Sequence, residues 1–202
     1  MSGFMATLKR QRWDDHRYYH HSLINQSLHL VSATSFICAY IVLFWDPAIA
    51  ALIAWIISMM SRQIGHFFFE PKDYDEINQA THEYKEAIKV GYNLRRKAVL
   101  LAIWALSPLA LYLRPNLFGL IAPWDNVSAY FHNLGLFWLV IGIGGLIFRS
   151  VQLFFLEDLQ TGLVWATKII TDPFHDVKLY HKAPRLLLHG YVEDEIAFDH
   201  RH

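Results

Sequence analysis

Between Leu30 and Ile64 the chain holds two apolar runs, LVSATSFICAYIVLFW and AIAALIAWIISMMSRQI, separated only by Asp46-Pro47. A helix crosses the ~30 Å of a bilayer's hydrocarbon with ~20 mostly apolar residues. The two runs are expected to form a membrane hairpin that turns at Asp46-Pro47. His20, His21 and His29 lie at the start of the first run and His66 lies at the end of the second. A hairpin returns all four to one face of the bilayer, where they can form a metal site.

Four spans are expected, at residues 28–45, 48–64, 98–113 and 133–156. The third is short and contains Ser107-Pro108, and a proline is tolerated in a membrane helix when neighbours satisfy the freed carbonyl. The fourth carries Gly135, Gly142, Gly144 and Gly145, which allow close helix approach. It also carries Arg149 and Gln152, so its last turns are expected to face protein or the interface. Composition agrees: apolar residues make up 54%, aromatics 15%, and the mean hydropathy is +0.20. Seven Trp and 14 Phe suit bilayer interfaces. The alternative, a soluble bundle, would need several helices apolar all round. The predicted class is all-α: an integral membrane helical bundle forming a single domain over residues 1–202.

Charge sets the orientation. With four spans, both termini and the loop at residues 67–97 share one side. Of the 18 Lys and Arg, only Arg114 falls on the other side. Positive residues near spans stay cytoplasmic, so both termini and the loop are expected there. Of the 12 His, only His132 falls near the opposite face. The first 27 residues are polar and include Lys9, Arg10, Arg12 and Arg17, unlike a cleavable signal peptide.

Other classes are disfavoured. A formal net charge of zero gives nucleic acid no electrostatic hold. The lone Cys38 excludes an intrachain disulfide and a thiolate zinc site. Neither a phosphate-binding glycine loop nor a Ser nucleophile motif is present.

The loop is not a bare linker. In Tyr74–Lys97, Ile77, Tyr84, Ile88 and Leu94 recur loosely at helical spacing, and Glu86–Lys89 forms an i,i+3 pair. An interfacial helix lying on the membrane is expected. In the tail, residues 157–202, the segment Thr161–Leu188 mixes apolar residues with Lys168, Asp172, Pro173, His175, His181 and Pro184. It suits a second surface helix and turn. His200 and His202 end the chain and are expected to be disordered.

The histidine spacing carries the chemistry. His21, Asn25 and His29 stand at i, i+4 and i+8, one stripe of a helix entering the membrane. Such a stripe must face protein, water or an ion. In Gln63-Ile64-Gly65-His66-Phe67-Phe68-Phe69-Glu70, His66 and Glu70 are four apart, and Gly65 lets the first helix approach. A single interfacial His is more often hydrogen-bonded than a ligand, but here four converge. Neutral imidazole suits Fe, Zn, Cu or Ni. Three or four His without Cys fit non-haem iron best and zinc second. His16 extends the set to His16-x-x-x-His20-His21, a spacing also found in membrane di-iron hydroxylases. His82, His175, His181 and His189 lie on the same side and read first as surface residues. Arg62, one turn from His66, suits a carboxylate but reads first as a flanking charge.

The combination Tyr19-His20-His21, Asn25, His29, then Gln63-Ile64-Gly65-His66 and Phe69-Glu70, resembles the membrane 2-hydroxy fatty acid dioxygenases. Members of that family carry a YHH-x3-N-x3-H element and a Q-F-x-GH-x-x-FE element around apolar spans. Its fungal representatives act in fatty acid α-oxidation in the endoplasmic reticulum and use Fe(II). The resemblance covers about residues 18–70 and implies iron binding by His20, His21, His29 and His66. The chain departs from the family at Glu70-Pro71-Lys72-Asp73-Tyr74-Asp75, where members have a basic run and then proline. It also departs in the spans after Lys97 and in the tail from Thr161, with its TDPFHDVKLYH.

The resulting expectation is an Fe(II)-dependent dioxygenase that shortens long-chain 2-hydroxy fatty acids by one carbon at the cytoplasmic membrane interface, with O2 as co-substrate. Asn25 is expected to orient a ligand or the substrate oxygens. Two alternatives stay open. One is a His-rich di-metal membrane hydroxylase or desaturase. The other is a non-enzymatic membrane protein with structural or metal-carrying histidines.

Overall fold

The computed structural model describes residues 3–70, 72–76 and 78–194, so Pro71, Ile77, His200, His202 and the side chain of Leu94 lie outside the described residues. Regular structure among them is helical, without strands. α1 spans Phe4–Tyr19 and α2 spans Leu23–Val42. α3 runs without a break over Pro47–Phe69. α4 is His82–Ile88, α5 Leu94–Leu113, α6 Val127–Leu156, α7 Leu159–Tyr180 and α8 Ala183–Leu188.

Asp46-Pro47 makes the turn between α2 and α3. Asp46 is the N-cap, its Oδ1 accepting from the amides of Ala48 (2.9 Å) and Ile49 (3.0 Å), and Pro47 fills the first helical position. α2 then packs antiparallel along α3. Two π-helical turns interrupt α3, at Ala54–Met59 and Gly65–Phe69. Such turns insert an extra residue and re-aim the side chains beyond it; the second contains His66.

Three helices are long and apolar enough to cross a membrane: Pro47–Phe69, Arg95–Leu113 and Val127–Leu156. α2 is not among them. Asn25, Gln26, His29 and Ser32 make one side of it polar, and all four are buried.

Within this frame Ala51, Trp55, Leu111, Leu134 and Trp138 form an apolar core, with Trp55 stacked on Trp104 at 5.7 Å. α3 meets α6 at Gly135, where a Cβ would stand 2.4 Å from the carbonyl oxygen of Ala48. Gly142 faces Trp55, but Gly144 and Gly145 have nothing within 4 Å of a Cβ position. Only half of the glycine stripe therefore serves close approach. Pro108 leaves α5 intact. Its missing N–H would orphan the Trp104 carbonyl, which instead accepts from Ser107 Oγ at 2.6 Å. At the end of α6, Arg149 donates to the Val90 carbonyl (3.1 and 2.6 Å) and to Gln152 Oε1 (2.6 Å), facing protein.

Two expectations need correction. The Tyr74–Lys97 segment is not one interfacial helix. Asp75 and Ala80 close a bridge, Thr81 caps the seven-residue α4, and the chain breaks again before α5. The tail is not a surface helix either. α7 packs on α1, α2 and α6, and buries Lys168, Asp172, Asp176 and Tyr180 along one stripe at i, i+4, i+8 and i+12.

Candidate metal centre

The corner between α1 and α2 builds the first part of the site. α1 ends at Tyr19, and His20 takes a non-helical conformation (φ −123°, ψ 38°). Two carbonyls freed there find donors on α2: Asn25 Nδ2 reaches Tyr19 O at 2.8 Å and Gln26 Nε2 reaches His20 O at 2.9 Å. These amides lock the His20 backbone against α2. Asn25 thus positions the corner, and it packs over Gly65, where any Cβ would lie 2.2 Å from Asn25 Oδ1. The small residue lets α2 and α3 touch at the level of His29 and His66.

The three rings of His20, His29 and His66 meet there. Their centroids are 4.1 Å apart for His20–His29, 5.0 Å for His29–His66 and 5.5 Å for His20–His66. One ligand nitrogen from each lies within 4.8 Å of the others, within reach of a single ion. The rings are buried, and the Nε2 atoms of His20 and His29 have no hydrogen-bond partner. A buried ring nitrogen without a partner is costly unless something binds it.

Each ring is backed by an oxygen on its Nδ1 side. His66 Nδ1 meets Glu70 Oε2 at 2.7 Å, and Glu70 is held in turn by Lys89 at 3.0 Å. His20 Nδ1 meets Tyr180 Oη at 3.0 Å. His29 Nδ1 stands 3.8 Å from Asp176 Oδ2, which also binds Arg62. For His66 and His20 the Nδ1 contact fixes ring orientation and leaves Nε2 for an ion, the pattern that supporting groups impose on metal-binding imidazoles, whereas both nitrogens of His29 lack a hydrogen bond and Asp176 is only its nearest charge. Arg62 is therefore an internal partner of Asp176, not a flanking surface charge.

His21 is not brought to the cluster. The break at residues 20–22 takes it off the helix, so the stripe reading His21-Asn25-His29 fails at its first member. Its Nε2 turns to the Arg17 carbonyl, with Asp75 Oδ2 at 4.0 Å. His16 sits one shell out, its Nδ1 3.4 Å from Tyr180 Oη. His82 opens α4, and His181 and His189 bond to nearby carbonyls at the surface (2.9 and 2.8 Å). His175 is half-buried on α7, and His132 is exposed on α6.

The electrostatics favour uncharged imidazole. Burial pushes the His20 ring well below the usual histidine range, and His29 and Arg62 add to this. Burial alone would raise the Asp176 carboxyl, but Arg62 and His29 outweigh it and hold it below the usual carboxylate range. Burial lifts the Tyr180 phenol well above its ordinary value, so it stays protonated. Neutral imidazole is the ligand form.

A cavity of about 810 Å3 opens on to the cluster. His20, His29, His66, Arg62 and Lys97 line its polar end, while Phe36, Leu43, Ala51, Trp55 and Trp138 line it toward the hairpin turn. Sequence spacing missed Gln26, Asp176 and Tyr180. For Asp176 and Tyr180 the available signal was the i+4 recurrence of polar residues along α7, which an exposed face would not need; Gln26 on α2 had none. The chain matches no protein-family model, no curated protein and no solved structure.

Proposed function

We propose that this protein is a multi-pass membrane metalloenzyme that oxidises the head of an acyl lipid, with His20, His29 and His66 holding Fe(II). The carrying observation is the convergence of three buried imidazoles, each backed by an oxygen, at the polar end of a cavity that is otherwise apolar. Its volume lies within the usual ~300–1,000 Å3 range of ligand sites. In the proposed topology α2 joins the three apolar helices as a fourth span, and both termini and the cluster face the cytoplasm. An acyl chain lies in the apolar arm with its carboxylate and 2-hydroxyl beside the imidazoles.

The resemblance at residues 18–70 supports a 2-hydroxy fatty acid as substrate. The overall change is cleavage of C1–C2. C1 leaves as carbon dioxide, one atom of O2 enters the shortened acid, and the other leaves as water. Bound iron supplies the activation of O2. The protein orients the His66 and His20 imidazoles through Glu70 and Tyr180, and it excludes water through Trp55, Trp138 and the acyl chain itself.

The test is metal analysis of detergent-purified protein, followed by incubation with 2-hydroxyhexadecanoic acid and O2. One iron per chain and the acid shortened by one carbon are expected. Two irons with a product that keeps every carbon would replace this reading by a di-metal hydroxylase or desaturase. Zinc in place of iron, or no retained metal, would remove the oxygenase.

A further inference from the structure

The polar end of the cavity is crowded with cations, and nearly all are already matched. Arg10, Arg12, Arg17, Arg62, Lys89 and Lys168 each pair with a carboxylate. Lys97 lines the same cavity and makes neither an ion pair nor a side-chain hydrogen bond among the described residues. It stands in the first turn of α5, half-buried, and the charges acting on it are Lys89, Arg62, Glu70 and Asp15. Glu70 is bound by Lys89 and Asp15 by Lys168, so neither is free to neutralise it. An ammonium turned into a mostly apolar cavity without a counter-ion is costly. An anion brought by a ligand would relieve that cost.

We propose that Lys97 is the group that binds the free carboxylate of an acyl ligand, and that it selects long-chain acids over their esters. The proposal rests on reading this site as one for acyl lipids. The carboxylate sits between Lys97 and the three imidazoles, and the chain runs along Leu100, Leu101, Trp55 and Trp138. One carboxylate oxygen pairs with the ammonium and the other faces the histidines. An ester keeps the chain contacts but brings no charge, so it leaves Lys97 unmatched.

The experiment is anaerobic displacement of a fluorescent long-chain acid from the full-length, iron-loaded protein in nanodiscs. The competitors are 2-hydroxyhexadecanoic acid, its methyl ester and hexadecyl phosphate. The wild type is expected to prefer the acid to the ester by roughly tenfold or more. Lys97→Met should reduce that preference several-fold by weakening acid binding while leaving ester binding unchanged, the remainder coming from the carboxylate oxygen that faces the histidines, and Lys97→Arg should restore it. If the Met variant does not fold, Lys97→Gln and the wild-type ratio give the same readings. An unchanged acid-to-ester ratio in the Lys97 variants, or no preference in the wild type, would overturn the proposal. Tighter binding of hexadecyl phosphate than of the acid would overturn the choice of carboxylate. The two readings fail separately. Lys97-dependent preference without turnover leaves this site standing and removes the oxygenase. Turnover by Lys97→Met with wild-type KM does the reverse.

Discussion

At the scale of single residues the site separates histidines that look alike in the sequence. His20 and His21 are neighbours, yet only His20 faces His29 and His66, because the chain leaves helical geometry between Tyr19 and Leu23. No spacing rule reveals that corner; it depends on Asn25 and Gln26 reaching back to two carbonyls. The hairpin pairing of His29 with His66 was legible, since Asp46-Pro47 between two apolar runs fixes which ends come together. If the cluster holds iron as proposed, His29→Ala and His66→Ala should each strip it, whereas His21→Ala should retain it, as read by metal analysis of purified variants. Glu70→Gln should keep the fold and weaken iron about 10–100-fold, the usual consequence of losing an outer-shell carboxylate. Equal iron affinity in Glu70→Gln and wild type would show that Glu70 does not orient the His66 ring.

At the scale of helices the glycines and the proline distinguish contact from open space. Gly135→Ala drives a Cβ into the backbone of Ala48, which cannot rotate away, so α3 and α6 must separate. A loss of about 1–3 kcal/mol is expected, seen as a lower unfolding midpoint in detergent. Gly144→Ala meets nothing and should be neutral or slightly stabilising, because alanine is the better helix former. Equal midpoints for the two variants would contradict the α3–α6 contact. The glycine stripe itself was readable; which members touch a neighbour was not, since that depends on helix rotation. The π turn holding His66 was equally invisible, because nothing in Gly65–Phe69 marks an i,i+5 bond. The short α4 differs from the long helix expected because local bonds at Asp75, Ala80 and Thr81 outweighed a loose apolar repeat.

At the scale of the whole molecule, buried neutral histidines make stability depend on pH. Burial lowers the pKa of His16, His20, His21 and His175. Their unfolded forms take up protons as pH falls through about 6.5, while the folded forms do not. The metal-free protein should therefore lose stability from about pH 7 downward. Thermal scans in chelator at pH 7.5 and 5.5 test this, and an unchanged midpoint would mean that these rings protonate freely in place. Topology is open to a second whole-molecule measurement. On a Cys38→Ser background, cysteines at Asn116 and Asp125 should label from outside the cell and one at Asp73 should not. The apolar helices were the most legible part of the fold, because their length and composition are local properties. The docking of α7 was the least legible, because its buried polar stripe has meaning only against the partners it meets.

That docking also governs the order in which the centre is assembled. His20, His29 and His66 are all synthesised early in the chain, but Asp176 and Tyr180 arrive near its end. A nascent chain that has just inserted α3 carries three imidazoles without two of the oxygens that back them. The oxygens behind His20 and His29 come into place only when the last long helix folds back on the first two, so a metal held there as proposed would meet its complete set of partners only at the end of synthesis.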